Sequence, residues 1–424
     1  MSLERLRGFR DVYPEEMEIR DQVFDKIKAV VRSFGFKQID IPSLEPLDLY
    51  RIKSGDELLG QTFNFSDRSG REVTLLPEAT PSVVRMLTSR KDIPKPVRWF
   101  CLPKIWRYEE PQSGRLREHI QLNADIFGSS SEAADAEVIG LACTILDTLG
   151  LSGHYEIRLN DRVLMDGILS HLGVPDTRRA FAAIDRFHKV SSDEFIIMLK
   201  NAGMDDEAAH RVLKLSGVRS SPSEASEILD DLSLQSDAVK ERLERIKQIA
   251  ALVSKYSDAR VVLDLSIVRG LSYYTGLVFE AFDVKGELRA ILGGGRYDSL
   301  ASVIGEQQIP AVGFGMGDVV LELLMRRAGS WRVQENVDSY YICTVNNKLL
   351  GKSLQIARSL RSNGYRVTVD LADRNISNQL RMAASSGSRY SIILGEKEIE
   401  TGFVSVRDMN TGEQRAIPLD QMIN

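Results

Sequence analysis

The chain has 424 residues, 43% of them hydrophobic and 27% charged, and a net charge of −5 at neutral pH. That length allows two or three domains with sizeable cores, and the mildly acidic balance excludes a global pull toward nucleic acid or anionic membranes, leaving that to local basic patches. Three scattered cysteines, Cys101, Cys143 and Cys343, argue against a disulfide framework or a thiolate metal site, and with no apolar run near the ~18 residues of a membrane span and no apolar leader the expectation is a cytoplasmic protein.

Residues 1–14 are a basic lead-in ending at Pro14. Ile19, Val23, Ile27, Val30, Val31 and Phe34 recur at helical spacing and predict a helix over 15–34. Glu15 and Glu16 suit its N-terminus and Gly35 its stop. Residues 36–41 read as a strand stopped by Pro42, a helix–strand unit of a kind that offers an edge to a second subunit. Over 47–76 the pattern is a short helix and then a hairpin turning at 67–70. Glu78 and Thr80 precede a helix expected from Ser82, and Thr80 is read either as its N-cap or as a ligand-facing hydroxyl.

Residues 104–128 read as two strands joined by a charged loop that carries Glu109, Glu110, Arg115, Arg117 and Glu118. Ile120, Leu122, Ala124 and Ile126 alternate with Gln121, Asn123 and Asp125, the period-2 signature of a half-buried strand that displays its polar side chains. A helix over 132–149 and a strand over 154–159 follow. From 161 to 257 the chain turns helical and charged, with Ser191/Glu194 and Ser221/Glu224 at capping-box spacing. This is read as an inserted helical subdomain with mostly solvated faces, in which Lys189, Lys200, Arg211, Lys214 and Arg219 are candidates for a polyanion. Strands return at 260–269, 273–282 and 290–298, and 310–328 reads as a glycine-rich strand entering a helix. After a polar linker, strands alternate with helices from Ser339 onward, implying a small α/β domain that ends in a short tail.

The common nucleotide and hydrolase motifs are missing. Gly351-Lys352-Ser353 resembles the end of a P-loop, but Asn346 stands where its first glycine belongs, so this is a helix start. The five histidines have no ligand-like spacing. What remains is a set of polar residues in separate β-rich stretches. They are Glu78 and Thr80; Arg107, Arg115, Arg117, Gln121 and Asp125; Arg269, Tyr273 and Tyr274; and Arg296 with Tyr297. An arginine within a sheet is expensive to bury unless it meets an anion, so Arg107 and Arg269 suggest a polyanion such as a triphosphate. The alternative is local pairing with Glu109 or Asp264.

These residues carry a resemblance. The stretch from Arg107 looks like motif 2 of class II aminoacyl-tRNA synthetases, in the form similar to histidyl-tRNA synthetases. Residues 268–276 (VRGLSYYTG) and 293–298 (GGGRYD) resemble that family's two histidine signatures, and 6–11 (LRGFRD) and 76–80 (LPEAT) its N-terminal start and amino-acid-binding turn. The resemblance implies an α+β fold: a class II antiparallel-sheet catalytic domain over 1–330 with a helical insertion at about 161–257, and an anticodon-binding α/β domain over 336–424. It also implies histidine activation by ATP with Mg²⁺, transfer to tRNA(His), and a homodimer. On this reading Arg107 and Arg269 clamp the α-phosphate, and Glu109, Arg115 and Arg117 hold ATP. Glu78, Thr80, Gln121, Asp125, Arg269, Tyr273, Tyr274 and Tyr297 hold histidine. Two departures stand out. Val319 and Val320 occupy the place where the family's motif 3 carries a triphosphate-binding arginine, and Ser272 stands where Asp is common. The rival reading is a non-catalytic synthetase-like regulatory subunit of ATP phosphoribosyltransferase. Against it stand Arg107, Gln121, Arg269, Tyr274 and the C-terminal domain.

Overall fold

In a computed structural model the described residues are 4–51, 55–90, 92–231, 236–268, 273–333 and 338–422. Arg269 and Ser272 therefore lie outside the described residues. The chain forms two compact units, 1–332 and 333–424.

The first unit is built on a large sheet. Its strands run in the order Lys37–Gln38, Val97–Cys101, Glu118–Phe127, Ala311–Gly317, Leu292–Arg296, Leu277–Asp283, Tyr155–Asp161, Arg260–Asp264 and Arg219–Ser220, with Lys104–Trp106 also paired to Glu118–Phe127. The central pairings are antiparallel, and the pairs 37–38/97–101 and 155–161/260–264 are parallel. Helices Pro14–Ser33, Glu132–Thr148 and Asp237–Val253 cover one face, and Thr80–Thr88 and Leu300–Gly305 the other. The first helix turns Val23, Ile27 and Val31 inward as its spacing predicts, and each such side chain contributes about 1.5–3 kcal/mol through burial.

Several elements differ from expectation. The strand over 36–41 shrinks to two residues, Lys37–Gln38. Strand Glu118–Phe127 is covered on both faces from Leu122 on, so Asn123 and Asp125 are buried rather than displayed. The polar alternation is real, but its polar face meets a second layer instead of water. The helix after Glu78 starts at Thr80 with Ala79 as N-cap and no side-chain capping bond, which removes the N-cap reading of Thr80. Arg107 has left its strand, which ends at Trp106. Of the two expected capping boxes, one forms in both directions and the other in one. Ser191 accepts from the Glu194 amide at 3.2 Å, and Ser221 and Glu224 bond reciprocally at 3.3 and 3.1 Å.

The second unit has a sheet ordered Arg366–Val369, Ser339–Thr344, Tyr390–Leu394, Phe403–Asp408 and Gln414–Pro418, with its own core around Ile342, Ile356, Ile392 and Val404. The expected tail is in fact a paired strand, Gln414–Pro418, and helix Glu396–Thr401 was not anticipated. Both are too short to show periodicity.

One buried ion network joins the sheet to the helix behind it. Arg296, at the end of its strand, donates to Asp135 Oδ1 through Nε at 2.9 Å and Nη2 at 2.5 Å. Arg245 donates to the other carboxylate oxygen at 3.0 Å. Arg296 also reaches the Ser129 carbonyl at 2.9 Å and Asp298 at 3.1 Å. Its role is architectural, which the glycine-rich motif around it did not reveal. Removing one partner strands a buried charge, so Asp135→Ala is expected to cost about 3–5 kcal/mol in urea unfolding. A loss below about 1 kcal/mol would contradict this account.

Candidate active site

Of the polar residues singled out above, those described, apart from Arg117 and Arg296, come from four chain segments and meet on one face of the large sheet. They divide into a closed nest and an open cavity.

The nest lies under helix Thr80–Thr88. Tyr273 donates to Glu78 Oε1, and Tyr297 donates to Asp125 Oδ1 at 2.5 Å. The Tyr273 and Tyr274 rings lie 4.9 Å apart, and Tyr297 stands edge-on to them at 5.7 and 6.5 Å. Tyr50, which sequence reasoning missed, donates to the Glu78 carbonyl at 3.1 Å and meets Ser82 at 3.1 Å. A polar line connects nest and cavity: Gln121 donates to Asn123 Oδ1 at 2.7 Å, and Asn123 to Thr80 Oγ1 at 3.4 Å. Asn123 was named in the alternation of its strand but not singled out, although its place between Gln121 and Asp125 was the available signal.

Glycines make the room. Gly313 faces Asp125 across the ladder, and a Cβ at Gly313 would collide with the Asp125 carboxylate. A Cβ at Gly295 would sit 2.9 Å from the Tyr274 ring.

Burial sets the electrostatics. It pushes the Asp125 carboxyl up to about 7, against the Tyr297 hydrogen bond and helped by the nearby Glu78. Burial likewise drives the Tyr273 and Tyr297 phenols far above their ordinary range, so both act as donors. His119 is held down to about 4 by burial and then by Arg107, and stays a neutral ring beside Gln121.

The cavity, of about 1150 Å³, opens beside the nest and is lined by Arg107, Glu109, Arg115 and Gln121 on one side and by Arg186 and Lys189 on the other. Arg107 Nε donates to the Pro77 carbonyl at 2.9 Å, and among the described residues no carboxylate pairs with its guanidinium. Arg115 pairs with Glu109 at 2.6 Å, on a hairpin tip closed by reciprocal Gln112–Arg115 backbone bonds with Gly114 at φ +77. Local pairing thus accounts for Arg115 and not for Arg107. Arg117 donates to the Glu109 carbonyl at 3.0 Å and lies 4.0 Å over the Tyr108 ring, buttressing the hairpin rather than lining the cavity.

Asp318 ties the surroundings together. It accepts from Arg10 at 2.6 Å, Arg20 at 3.1 Å and the Ile120 amide at 3.1 Å, joining the N-terminal segment and first helix to the site strand. The helical segment is anchored through Asp264, which accepts from Arg219 at 2.8 Å and Ser266 at 2.5 Å, while His188 meets Ser266 at 2.9 Å. Of the insert's candidate cations, Lys189 and Arg219 line the cavity, and Lys200 is taken by Asp206 at 2.6 Å.

Among the described residues no group of three or more His, Cys, Asp or Glu side chains forms a metal cage, the three cysteines are free and buried, and no helix is long and apolar enough to cross a membrane.

Comparison with known proteins follows the same division. The family model described as histidyl-tRNA synthetase matches residues 8–318, and one described as anticodon binding domain matches 339–424. The chain is 51% identical over 423 residues to a Thermoplasma volcanium protein named histidine–tRNA ligase, covering 100% of this chain and 98% of the relative. It is 48% identical to one of that name from Picrophilus torridus (100% and 99% covered), and 34% to one from Pyrococcus furiosus (99% and 98% covered). Its fold is similar to the crystal structure of histidyl-tRNA synthetase from Nostoc sp. PCC 7120, with TM-score 0.83, 22% identity, and 100% and 98% of the two chains covered. A Bacillus halodurans structure titled as an ATP phosphoribosyltransferase regulatory subunit/histidyl-tRNA synthetase is also similar, with TM-score 0.76, 22% identity, and 93% and 98% covered.

The raised carboxyl in the nest has a thermodynamic signature. In the folded chain Asp125 holds its proton to about pH 7, whereas unfolded it releases it near ~3.9. The folded state binds the extra proton between those values, so this group's contribution to stability falls as pH rises from 4 to 7 and is level above. Asp125→Asn is therefore expected to raise the unfolding free energy of the ligand-free protein at pH 8, by up to about 4 kcal/mol at 1.36 per pKa unit, and its melting midpoint with it, the gain shrinking toward pH 4. Thermal melts at several pH values check this; an equal gain at all of them would remove the ionisation as its cause.

Proposed function

Because the chain belongs to the histidyl-tRNA synthetase family, we propose that its nest binds histidine and its cavity binds ATP. The activity is that of an ATP-dependent histidine–tRNA ligase. Histidine's carboxylate attacks the α-phosphorus of ATP, the bond to the bridging oxygen breaks, and pyrophosphate leaves. The 3′-terminal ribose hydroxyl of tRNA(His) then attacks the histidyl carbonyl, and AMP departs. The regulatory-subunit reading is not favoured: relatives matching over nearly the whole chain at 34–51% identity are named as ligases, and the Bacillus halodurans likeness, at 22%, speaks for the fold alone.

The observation that carries the assignment of roles is Arg107. Its Nε is committed to the Pro77 carbonyl, which fixes the plane of a guanidinium that no described carboxylate neutralises. A pre-aimed cation beside a polar cavity stabilises the charge that gathers on the α-phosphate at little reorganisation cost. Arg269 is its partner in the clamp on the strength of its sequence motif. Glu109 meets the adenine edge, and Arg115 exchanges its Glu109 pairing for the triphosphate. Arg117 holds the hairpin from behind. Mg²⁺, as the companion of ATP, would supply charge neutralisation to the phosphates.

Histidine's ammonium meets Glu78, Thr80 and Gln121, and its two ring nitrogens meet Asp125 and Tyr274, with Tyr273 and Tyr297 as walls. Asp125 and Glu78 already hold tyrosine hydroxyls, so histidine must take over or share those bonds. A nest that then hydrogen-bonds both ring nitrogens rejects isosteres lacking them. The second unit, an anticodon-binding domain by its family match, grips the tRNA. A homodimer and a cytoplasmic location complete the reading.

Arg107→Ala and Arg269→Ala are each expected to lower histidine-dependent pyrophosphate exchange by roughly 10²-fold or more. Near-normal exchange in either variant would remove that arginine from the clamp, and exchange supported by another amino acid instead of histidine would overturn the assignment. Since the second unit has its own core, deleting residues from about 336 onward is expected to leave exchange largely intact while tRNA charging collapses. Equal loss of both would make that unit structural.

A further inference from the structure

We propose that Arg289 is a third anchor for the triphosphate, standing beside the two valines that replace the motif 3 arginine. The proposal rests on the ATP reading of the cavity and names a residue that reading did not contain.

Arg289 lies in the turn between strands Leu277–Asp283 and Leu292–Arg296 and lines the same cavity as Arg107, Arg115, Val319 and Val320. Its place is shown by the hairpin tip. A methyl group at Gly114 would lie 3.4 Å from Val320 Cγ2 and 3.8 Å from Arg289 Cδ, so the three positions meet at one point. An arginine at 320 would start from that point, which Arg289 reaches from its own turn.

The turn is built to hold it there. Asp283, itself buried, accepts from the Glu287 amide at 3.1 Å and the Leu288 amide at 2.7 Å. Arg327 on helix Asp318–Ala328 pairs with Glu287 at 2.8 Å and ties the turn down from outside. The backbone leading to Arg289 is thus fixed by two charged side chains, one of them from the helix whose start carries the valines.

Its charge is left without a partner. Among the described residues no carboxylate pairs with Arg289, while Glu109, whose charge it feels, is taken by Arg115. Partial desolvation at the cavity wall and then the neighbouring Arg115 work against the positive charge of this otherwise exposed side chain, and Glu109 only partly compensates. Two guanidinium groups held side by side at a cavity wall are unfavourable in the empty protein. An anion between them turns the repulsion into a two-sided clamp, and a bidentate fork suits a phosphate. The pair sits on the hairpin side of the cavity, away from the nest, where a bent polyphosphate tail would extend from the α-phosphate.

The test is histidine-dependent pyrophosphate exchange by the full-length protein with ATP, pyrophosphate and histidine varied separately. Arg289→Gln is expected to raise the KM values for ATP and for pyrophosphate about tenfold or more, the loss of one charge-assisted contact, and to leave the histidine KM within about twofold. Adding Val320→Arg to Arg289→Gln is expected to recover most of that loss. The wild-type rate reads the activity itself and the variant reads the residue, so the two can fail separately. An unaltered ATP KM, or equal rises for ATP and histidine, would overturn the proposal, as would a double variant no better than Arg289→Gln. Ligand-free unfolding midpoints matched to wild type establish that the comparison is between folded proteins.

Discussion

Where strand Leu292–Arg296 runs beside Ala311–Gly317, Gly295 faces Gly313, and polar side chains from neighbouring segments lie across the gap. The site depends on that missing bulk. Asp125 is directly opposite Gly313 on the next strand, and its carboxylate occupies the space a Cβ would need. Gln121 lies over Gly315 in the same way, with its Nε2 2.8 Å from where a Cβ would be. A sheet normally fills both faces with side chains. Here two adjacent strands withhold them, and their neighbours lay a carboxylate, an amide and an aromatic ring across the gap.

That floor explains how charge is distributed around it. Around the site, charges are consumed in structural groups: Arg296 with Asp135, Arg158 and Arg219 with Asp264, Arg10 and Arg20 with Asp318. Each group joins separate segments of the chain. Inside the cavity the balance is left open, with Arg107 and Arg289 facing it unpaired among the described residues. In the nest Glu78 and Asp125 each accept from a tyrosine hydroxyl, and burial raises Asp125. Unpaired positive charge in the cavity and carboxylate acceptors in the nest thus lie next to each other, divided by the uncharged line from Gln121 through Asn123 to Thr80.

Segments with strong periodicity were legible without coordinates. The helix expected over 15–34 forms as Pro14–Ser33, and the one over 132–149 as Glu132–Thr148, because apolar spacing over four or more turns has one reading. Short elements were not: Gln414–Pro418 and Glu396–Thr401 offer too few residues to show a period. The strand Glu118–Phe127 was placed correctly and its environment misjudged, since alternation reports two faces and not what covers each of them. Thr80 failed as a cap because the chain enters its helix one residue earlier than the hydroxyl could serve.

The amino-acid order by itself determined the kinds of chemistry available: arginines and a carboxylate on one charged hairpin, tyrosines after an Arg-Gly turn, and glycines where side chains are withheld. Those depend on local residue identity and spacing, which a sequence carries in full. Only the tertiary structure decided which charges are spent and which are spare. Arg296 and Arg289 lie seven positions apart in one run; the first is consumed by Asp135, and the second faces a cavity beside Arg115 and Val320. Pairing is a matter of distance between segments far apart in the chain, and the fold alone sets that distance.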